Sequence, residues 1–424
     1  MPQLPTVVLL AAGDNTRFFP LNSLTHKSHM TLLGKPIIVR TLESLERHGF
    51  THVVVVTSKA DAAAQQFNKL IHQHNLSIHA EIVVQETATG MGDALLAASN
   101  HISGDFCVIS PSAIHAGEVL ETLIAKSTSG GAIAVSETSE PWLYGIVTLQ
   151  NNRITSIIEK PKRGEEPSNY KVHGVYFLTQ NFLQILKQTP PEQYNFETAL
   201  GTYFAQSEVA AVTHQLPLLS LKYPWHLFHF QANFFNQLQS YTSPDAQIAP
   251  TASFDTSSGP IVISAGATIS HCARLVGPVF VGKNAFVGDF TLIRHSSIEA
   301  NSRIGPHSDV TRSIILQDSS MHSGFLGDTI VGQNVKIGTG FVTSNKRLDR
   351  QPITVQVKDK TVEVGRGFGT VIGHNSNIGI RVSTMPGKLI GSNCVLFPAV
   401  TVWANQPHDT LLKPPHQNTT EHEK

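Results

Sequence analysis

Two hydrophobic rhythms divide the chain. In the first half, solid apolar runs alternate with segments of helical period. Val7–Ala11 is an unbroken apolar run ending at Gly13, and His52-Val53-Val54-Val55-Val56 forms another within Thr51–Thr57. Such runs read as strands buried on both faces, the pattern of a parallel sheet. Glu81–Gln85 and Phe106–Ser110 are further strands, and Ile37–His48, Ala60–His74 and Gly92–Asn100 are the intervening helices. Repeated strand–helix–strand units predict a doubly wound, Rossmann-like α/β domain with its ligand at the C-terminal strand ends. Gly131–Phe177 adds strand-rich sequence, and Trp225–Gln239 reads as the helix that closes the domain.

After a Pro-, Ala- and Ser-containing transition at Ser243–Ser257 the rhythm changes. An aliphatic residue followed by Gly recurs at Val281-Gly282, Val287-Gly288, Ile304-Gly305, Val331-Gly332, Ile337-Gly338, Ile372-Gly373, Ile378-Gly379 and Ile390-Gly391, and three adjacent pairs are six residues apart (281 to 287, 331 to 337 and 372 to 378). A six-residue period with one buried aliphatic and Gly or Asn at the corners is the hexapeptide signature of a left-handed parallel β-helix. Gly and Asn tolerate the left-handed backbone that tight corners need. The repeat breaks between Thr343 and Gly369, where Lys346, Arg347, Arg350, Lys358, Lys360 and Arg366 make a polar, basic loop. Ala404–Lys424 is polar with Pro and His and reads as a disordered tail. The expected domains are therefore 1–240, 241–403 and a tail over 404–424.

Composition narrows the classes. Of 424 residues, 41% are hydrophobic and 15% charged, and 31 Lys+Arg balance 31 Asp+Glu. This is globular composition, with no basic excess for nucleic acid or a membrane surface. The three cysteines, Cys107, Cys272 and Cys394, are odd in number and far apart, which argues against a disulfide framework or a Cys-rich zinc site and for three buried small hydrophobes. The N-terminus has no basic n-region, and its apolar run is too short to span a bilayer, so a cytoplasmic location is expected.

A small-residue loop, Leu10-Ala11-Ala12-Gly13-Asp14-Asn15-Thr16-Arg17, follows the first strand; Lys27, Gln85 with Gly90, Tyr144-Gly145 and Glu159-Lys160-Pro161 come after it. Together these resemble the sugar-1-phosphate nucleotidyltransferase family over roughly the first 235 residues. The resemblance implies that Ala11, Ala12 and Gly13 hold a nucleotide whose base Gln85 and Gly90 read. Arg17 and Lys27 would contact phosphates. Gly145 and Glu159 would hold the sugar, with Lys160 near its phosphate. The family holds Mg²⁺ through an Asp after a strand and a second carboxylate or Asn near the domain's end. Here those positions read Ser110-Pro111-Ser112 and Tyr223-Pro224-Trp225-His226. Neutral Ser112 and His226 leave Mg²⁺ without hard anionic ligands, so no metal is assigned and the domain reads as a degenerate nucleotidyltransferase. Asn15 replaces the loop's second Gly, His26 the Pro before Lys27, and Val172 the usual Asn of the sugar-binding strand.

In the coil, Ser319-Ser320-Met321-His322-Ser323-Gly324-Phe325-Leu326-Gly327-Asp328 and Gly338-Thr339-Gly340-Phe341-Val342-Thr343-Ser344-Asn345-Lys346-Arg347-Leu348-Asp349 resemble the acetyltransferase half of the bifunctional UDP-N-acetylglucosamine pyrophosphorylase/glucosamine-1-phosphate N-acetyltransferase family, in its archaeal form. The resemblance runs from about Pro260 to about Val402 and includes Met385-Pro386-Gly387. It implies His322 as general base, Arg294, Arg312 and Asn345 around an amino sugar phosphate, and backbone near Thr339 and Ile380 meeting acetyl-CoA as co-substrate, in a homotrimer. Phe325 replaces the family Tyr, and Lys336 stands where the two-activity bacterial enzymes have Asn. Three readings stay open: amino-sugar N-acetylation in UDP-N-acetylglucosamine biosynthesis, an active nucleotidyltransferase drawing carboxylates from Asp93, Glu159 or Glu197, and a non-catalytic sugar-nucleotide-binding relative.

Overall fold

The computed structural model describes residues 4–13, 15–24, 26–58, 63–86 and 89–414; of 63–66 only the backbone is described. The chain divides into two compact units. The first comprises 1–14, 28–30 and 36–220; the second comprises 15–27, 31–35 and 221–424.

The first unit is built on one nine-stranded sheet. Its elements are β1 (Thr6–Leu10), α1 (Ile37–Arg47), β2 (His52–Ser58), α2 (Ala63–Gln73), β3 (His79–Gln85), α3 (Met91–Ala97), β4 (Phe106–Ile109), α4 (Ala116–Ala125), β5 (Ala132–Glu137), β6 (Gly145–Gln150), β7 (Arg153–Glu159), β8 (Tyr170–Leu178), α5 (Gln180–Gln188), α6 (Asn195–Gln206) and β9 (Val209–Thr213). The strand order is β3-β2-β1-β4-β8-β5-β9-β7-β6. β3, β2, β1 and β4 run parallel, whereas β8 is antiparallel to β4 and β5. The apolar runs fill both faces. Val7, Leu9, Val53 and Val55 enter one core with Cys107 and Ile109, while Val8, Val54 and Val56 enter the other with Phe106 and Val108. This Rossmann-type layering follows from period-2 alternation inside runs that are apolar at every position. Ala60 of the second predicted helix lies outside the described residues.

The second unit is a coil of short parallel strands. Thr268 pairs with Phe286, Phe286 with Arg303, Arg303 with Ser320, Ser320 with Lys336, Lys336 with Asn377, and Asn377 with Val395. Along this wall Ile269, Val287, Ile304, Met321, Ile337, Ile378 and Leu396 point into one core with the aliphatics of the other walls. A corner carries a ladder of polar residues at positive φ. Asn284 (φ 57), Asn301 (φ 59) and Asp318 (φ 61) are linked by side-chain hydrogen bonds of 3.3 and 2.9 Å. Asn334, Asn375, Asn393 and Asp409 continue it at 3.1, 3.2 and 2.9 Å. Asn reaches left-handed backbone at low cost, and its amide bonds the next turn.

Several expectations are corrected. The coil does not stop at 403: Leu411–Leu412 pairs with Val395–Leu396, because Leu411-Leu412 supplies one more apolar rung; residues 415–424 lie outside the described ones. The basic insert is no bare loop but a hairpin, Ile353–Val357 against Lys360–Gly365, with Ile353, Val355 and Val357 buried. The helix expected to close the first domain spans Leu227–Phe235 and belongs to the second unit. There Gln231 donates to the Ser313 carbonyl at 3.4 Å, and Trp225 meets Phe368 edge-on at 5.7 Å. Cys272 is exposed, unlike Cys107 and Cys394, because it occupies a left-handed corner (φ 56) that turns its side chain outward.

Candidate functional site

In the first unit the C-terminal strand ends gather most of the nucleotide-type motif. Ala11, Ala12 and Gly13 leave β1, with the Ala11 N–H held by the Val56 carbonyl at 2.8 Å. Gln85 closes β3, is 6% exposed, and donates to the Gly90 carbonyl at 3.3 Å. Gly90 has φ 147, and a Cβ there would lie 2.6 Å from the Gln193 carbonyl oxygen, so no other residue fits without displacing backbone. Ser110-Pro111-Ser112 follows β4. Ser112 is buried, its hydroxyl lies 3.2 Å from that of Ser110, and the Ser110 N–H is taken by Gly174. These hydroxyls are neutral and satisfy each other. The residues present do not fit Mg²⁺, which takes anionic oxygen.

The sugar-type residues lie together on the neighbouring strands. Gly145 stands opposite Glu159 in the β6–β7 register, and a Cβ on Gly145 would come within 2.8 Å of Glu159 Oε2. Glu159 pairs with Lys160 Nζ at 2.6 Å, and Nζ sits 4.9 Å from the centre of the Tyr194 ring. Burial pushes the Glu197 carboxyl up to about 7; the negative charge of Glu159 adds to this, and Lys160 works against it. Glu197 is therefore protonated below about pH 7. Tyr194 and Glu197 stand beside the Glu159–Lys160 pair. Tyr194 carries no motif in the sequence, because its role comes from α6 packing near β7.

Arg17 and Lys27 lie between Asn15 and the end of the single turn Lys27–His29. Their segment belongs to the second unit, and an ordered set of contacts holds it there. The buried Glu299 carboxylate accepts the N–H groups of Leu33 and Gly34 at 2.7 and 2.9 Å. The Ser392 hydroxyl donates to the Pro20 carbonyl at 3.0 Å and accepts from the Ser23 hydroxyl at 2.7 Å. His374 Nε2 lies 3.2 Å from the Leu21 carbonyl, and the Phe19 and His408 rings meet edge-on at 4.9 Å. His226, at the family's other metal position, accepts the Lys222 N–H at 3.2 Å through Nδ1.

The coil wall carries a cleft of about 760 Å³. His322, Ile380, Lys336 and Arg303 line it, with Phe286, Phe397 and Pro398 among its apolar surfaces. His322 is exposed on it. Around the next corner lies a polar cluster. Arg294 makes a two-oxygen contact with Asp309 at 3.0 and 2.9 Å. Arg312 grips Asp328 at 2.6 and 2.8 Å, and the Asn345 amide donates to the same carboxylate at 2.5 Å. The hydrogen bond to Asp328 raises the affinity of Arg312 for its proton, while burial lowers that of His295, with the charges of Arg312 and Arg294 adding to it. The Phe325 ring and the Asn345 amide flank Gly327. The structure thus joins Arg312 and Asn345 through Asp328, and His322 with Ile380 on the cleft. Arg294, Arg312, Asn345 and Thr339 do not line that cleft. Separation of the two groups follows from Gly324 (φ 140), where the strand shifts register and turns from one wall to the next. Sequence reasoning missed Asp309 and Asp328 as partners of the arginines; their signal was a carboxylate placed about one turn from each Arg.

Among the described residues, no helix is long and apolar enough to cross a membrane. Comparison with known proteins places the chain in a family and finds relatives over most of its length. The nucleotidyl transferase family matches residues 6–218. "Bifunctional protein GlmU" of Methanococcus maripaludis (strain C5) is 30% identical over 395 residues, covering 92% of each chain. "Bifunctional sugar-1-phosphate nucleotidylyltransferase/acetyltransferase" of Sulfurisphaera tokodaii is 24% identical over 410 residues, 93% of this chain and 96% of that one. "Uncharacterized acetyltransferase YaiX" of Escherichia coli O6:K15:H31 is 33% identical over 169 residues, 39% of this chain and 74% of that one.

Proposed function

Because this chain belongs to the nucleotidyl transferase family, in its two-domain branch of GlmU-type bifunctional proteins, we propose that its coil transfers acetyl from acetyl-CoA to the amine of an amino sugar 1-phosphate. The observation that carries the reading is His322 exposed on the wall of a cleft that also offers two cations, Lys336 and Arg303, and apolar walls at Ile380, Phe286 and Phe397. A pantetheine chain suits the apolar walls, and the cations suit phosphates. In the reaction the amine nitrogen attacks the thioester carbonyl, forming an N–C bond and breaking the C–S bond. His322 takes the amine proton and returns it to the departing thiolate. Arg312 and Asn345, held by Asp328, serve the sugar phosphate, together with Arg294; Thr339 lies beside the acetyl-CoA path. We take the coil to be a left-handed β-helix, which the positive-φ corner ladder supports, and the protein to assemble as a homotrimer. Trimer formation accounts for a cleft and an arginine cluster on different walls of one protomer, since neighbouring copies can bring them together.

The first domain is proposed to bind a sugar nucleotide through Ala11, Ala12, Gly13, Gln85, Gly90, Gly145, Glu159 and Lys160, with no metal-dependent turnover. Paired, neutral Ser110 and Ser112 support this. Acetyl-CoA consumption with glucosamine 1-phosphate tests the coil: turnover lost in His322→Ala is expected. Inactive wild type across several amino sugar phosphates overturns the reading. Release of pyrophosphate from a nucleoside triphosphate, sugar 1-phosphate and Mg²⁺ would overturn the reading of the first domain. Light scattering giving a monomer would remove the trimer.

A further inference from the structure

The opposite end of the first unit's sheet holds a cluster that no part of this chemistry uses. His52 opens β2 and His79 opens β3, and the two residues are partners in the parallel register. Their rings stack at 5.8 Å with planes 14° apart. Glu81 is two residues beyond His79 and therefore on the same face of β3. His52 Nε2 lies 2.7 Å from Glu81 Oε1, and His79 Nε2 lies 3.9 Å from the same oxygen. His101 arrives from a different element, the single turn Ser99–His101, and places Nδ1 2.5 Å from Glu81 Oε2. One donor atom from each of His52, His79 and Glu81 lies within 4.8 Å of the other two. Three imidazoles thus converge on one carboxylate from three separate segments.

We propose that His52, His79 and Glu81 bind Zn²⁺ through two nitrogens and one oxygen, with His101 holding the other oxygen of the Glu81 carboxylate. Imidazole with one carboxylate is a donor set for late first-row divalent ions, not for Mg²⁺ or Ca²⁺. Zinc–ligand bonds of about 2.0–2.2 Å place tetrahedral donors roughly 3.4 Å apart, and the donor atoms of His52, His79 and Glu81 lie within 4.8 Å of one another. The side chains are 35–75% exposed, so an ion enters from solvent without the fold opening. The site lies at the strand starts. Gln85 ends the same strand, about 13 Å beyond Glu81 at 3.3 Å per residue, so the ion takes no part in the nucleotide pocket. Its role is a clamp joining β2, edge strand β3 and the turn after α3.

The test uses the full chain, stripped with chelator and titrated with ZnCl₂ by calorimetry. Other histidines bind zinc weakly, so variants decide the matter. The expected result is one tight equivalent per chain, weakened at least about tenfold in His79→Ala and in Glu81→Gln. Zinc should also raise the melting temperature of the wild type and not of the variants. Co²⁺ in the same site should give the intense visible bands of a tetrahedral ion, lost in His52→Ala. His79 is 75% exposed, so its removal leaves folding intact. Tight zinc binding unchanged in both variants, or no tight equivalent at all, overturns the proposal and leaves the acetyl-transfer reading untouched.

Discussion

His374 makes acid stability a direct probe of the coil. The residue is fully buried. Its Nδ1 accepts the Gln333 N–H at 2.9 Å, so the ring proton sits on Nε2 and points to the Leu21 carbonyl at 3.2 Å. Both ring nitrogens are used in the neutral form, and a second proton has no acceptor. Burial pulls the ring down to about 4 from an ordinary 6.5, with the Leu21 carbonyl opposing and His408 assisting. Below pH 6.5 the unfolded chain takes up a proton that the folded chain refuses until about pH 4. The stabilising contribution is therefore complete above 6.5 and drains away as pH falls to 4. At about 1.4 kcal/mol per unit, the full span is worth roughly 3 kcal/mol, of which about 2.5 is lost between pH 7.5 and 4.5. Urea unfolding at both pH values, for the wild type and His374→Asn, isolates this ring, since all other groups cancel in the difference. The wild type should lose about 2.5 kcal/mol more than the variant over that interval. Equal losses would refute a buried neutral His374.

Three further outcomes follow from the same geometry. Gly324→Ala drives a Cβ into the Phe341 carbonyl at a backbone angle that L-residues avoid, so thermal stability should fall by more than about 3 kcal/mol; a change under 1 kcal/mol would contradict the corner as described. Asp328→Ala strands the Arg312 guanidinium and the Asn345 amide and should cost about 2 kcal/mol by chemical denaturation, with Asp328→Asn recovering part of it. Glu197→Gln should stabilise the first unit by about 2 kcal/mol at pH 8 and hardly at pH 4.5. The raised carboxyl carries no penalty below its unfolded value of 4.5; the penalty grows as pH rises above that and is complete once pH passes about 7. A pH-independent effect would show that Glu197 is not held protonated.

What the sequence discloses depends on the range of the forces involved. The runs at Val7–Ala11 and Val53–Val56 announce buried strands because every position is apolar, and the Ile-Gly and Val-Gly pairs announce the coil because each turn repeats the same local demand. Glu159 and Lys160 are adjacent, so their pairing is local too. His52, His79 and His101 carry no such period; only the β2–β3 register and a turn after α3 bring them to Glu81. Trp225–Phe235 has helical spacing, but spacing does not state which unit its apolar face covers. Cys272 looks like any small hydrophobe until its corner conformation turns it outward. Asp309 and Asp328 pair with arginines one turn earlier, a relation visible only once the length of each turn is known.

The seat of the opening loop has a consequence for the order in which the molecule is made. Ser392, Ser23, His374, Leu21 and Pro20 meet across sequence separations of 353, 369 and 372 residues. A ribosome releases the Rossmann-type sheet long before it releases Gly391. The segment that carries Pro20, Leu21 and Ser23 must therefore wait for these partners until nearly the last coil has emerged. Contacts of such span are slow to close, because the intervening chain must first be ordered. A segment made near the start of the chain is thus among the last to reach its seat.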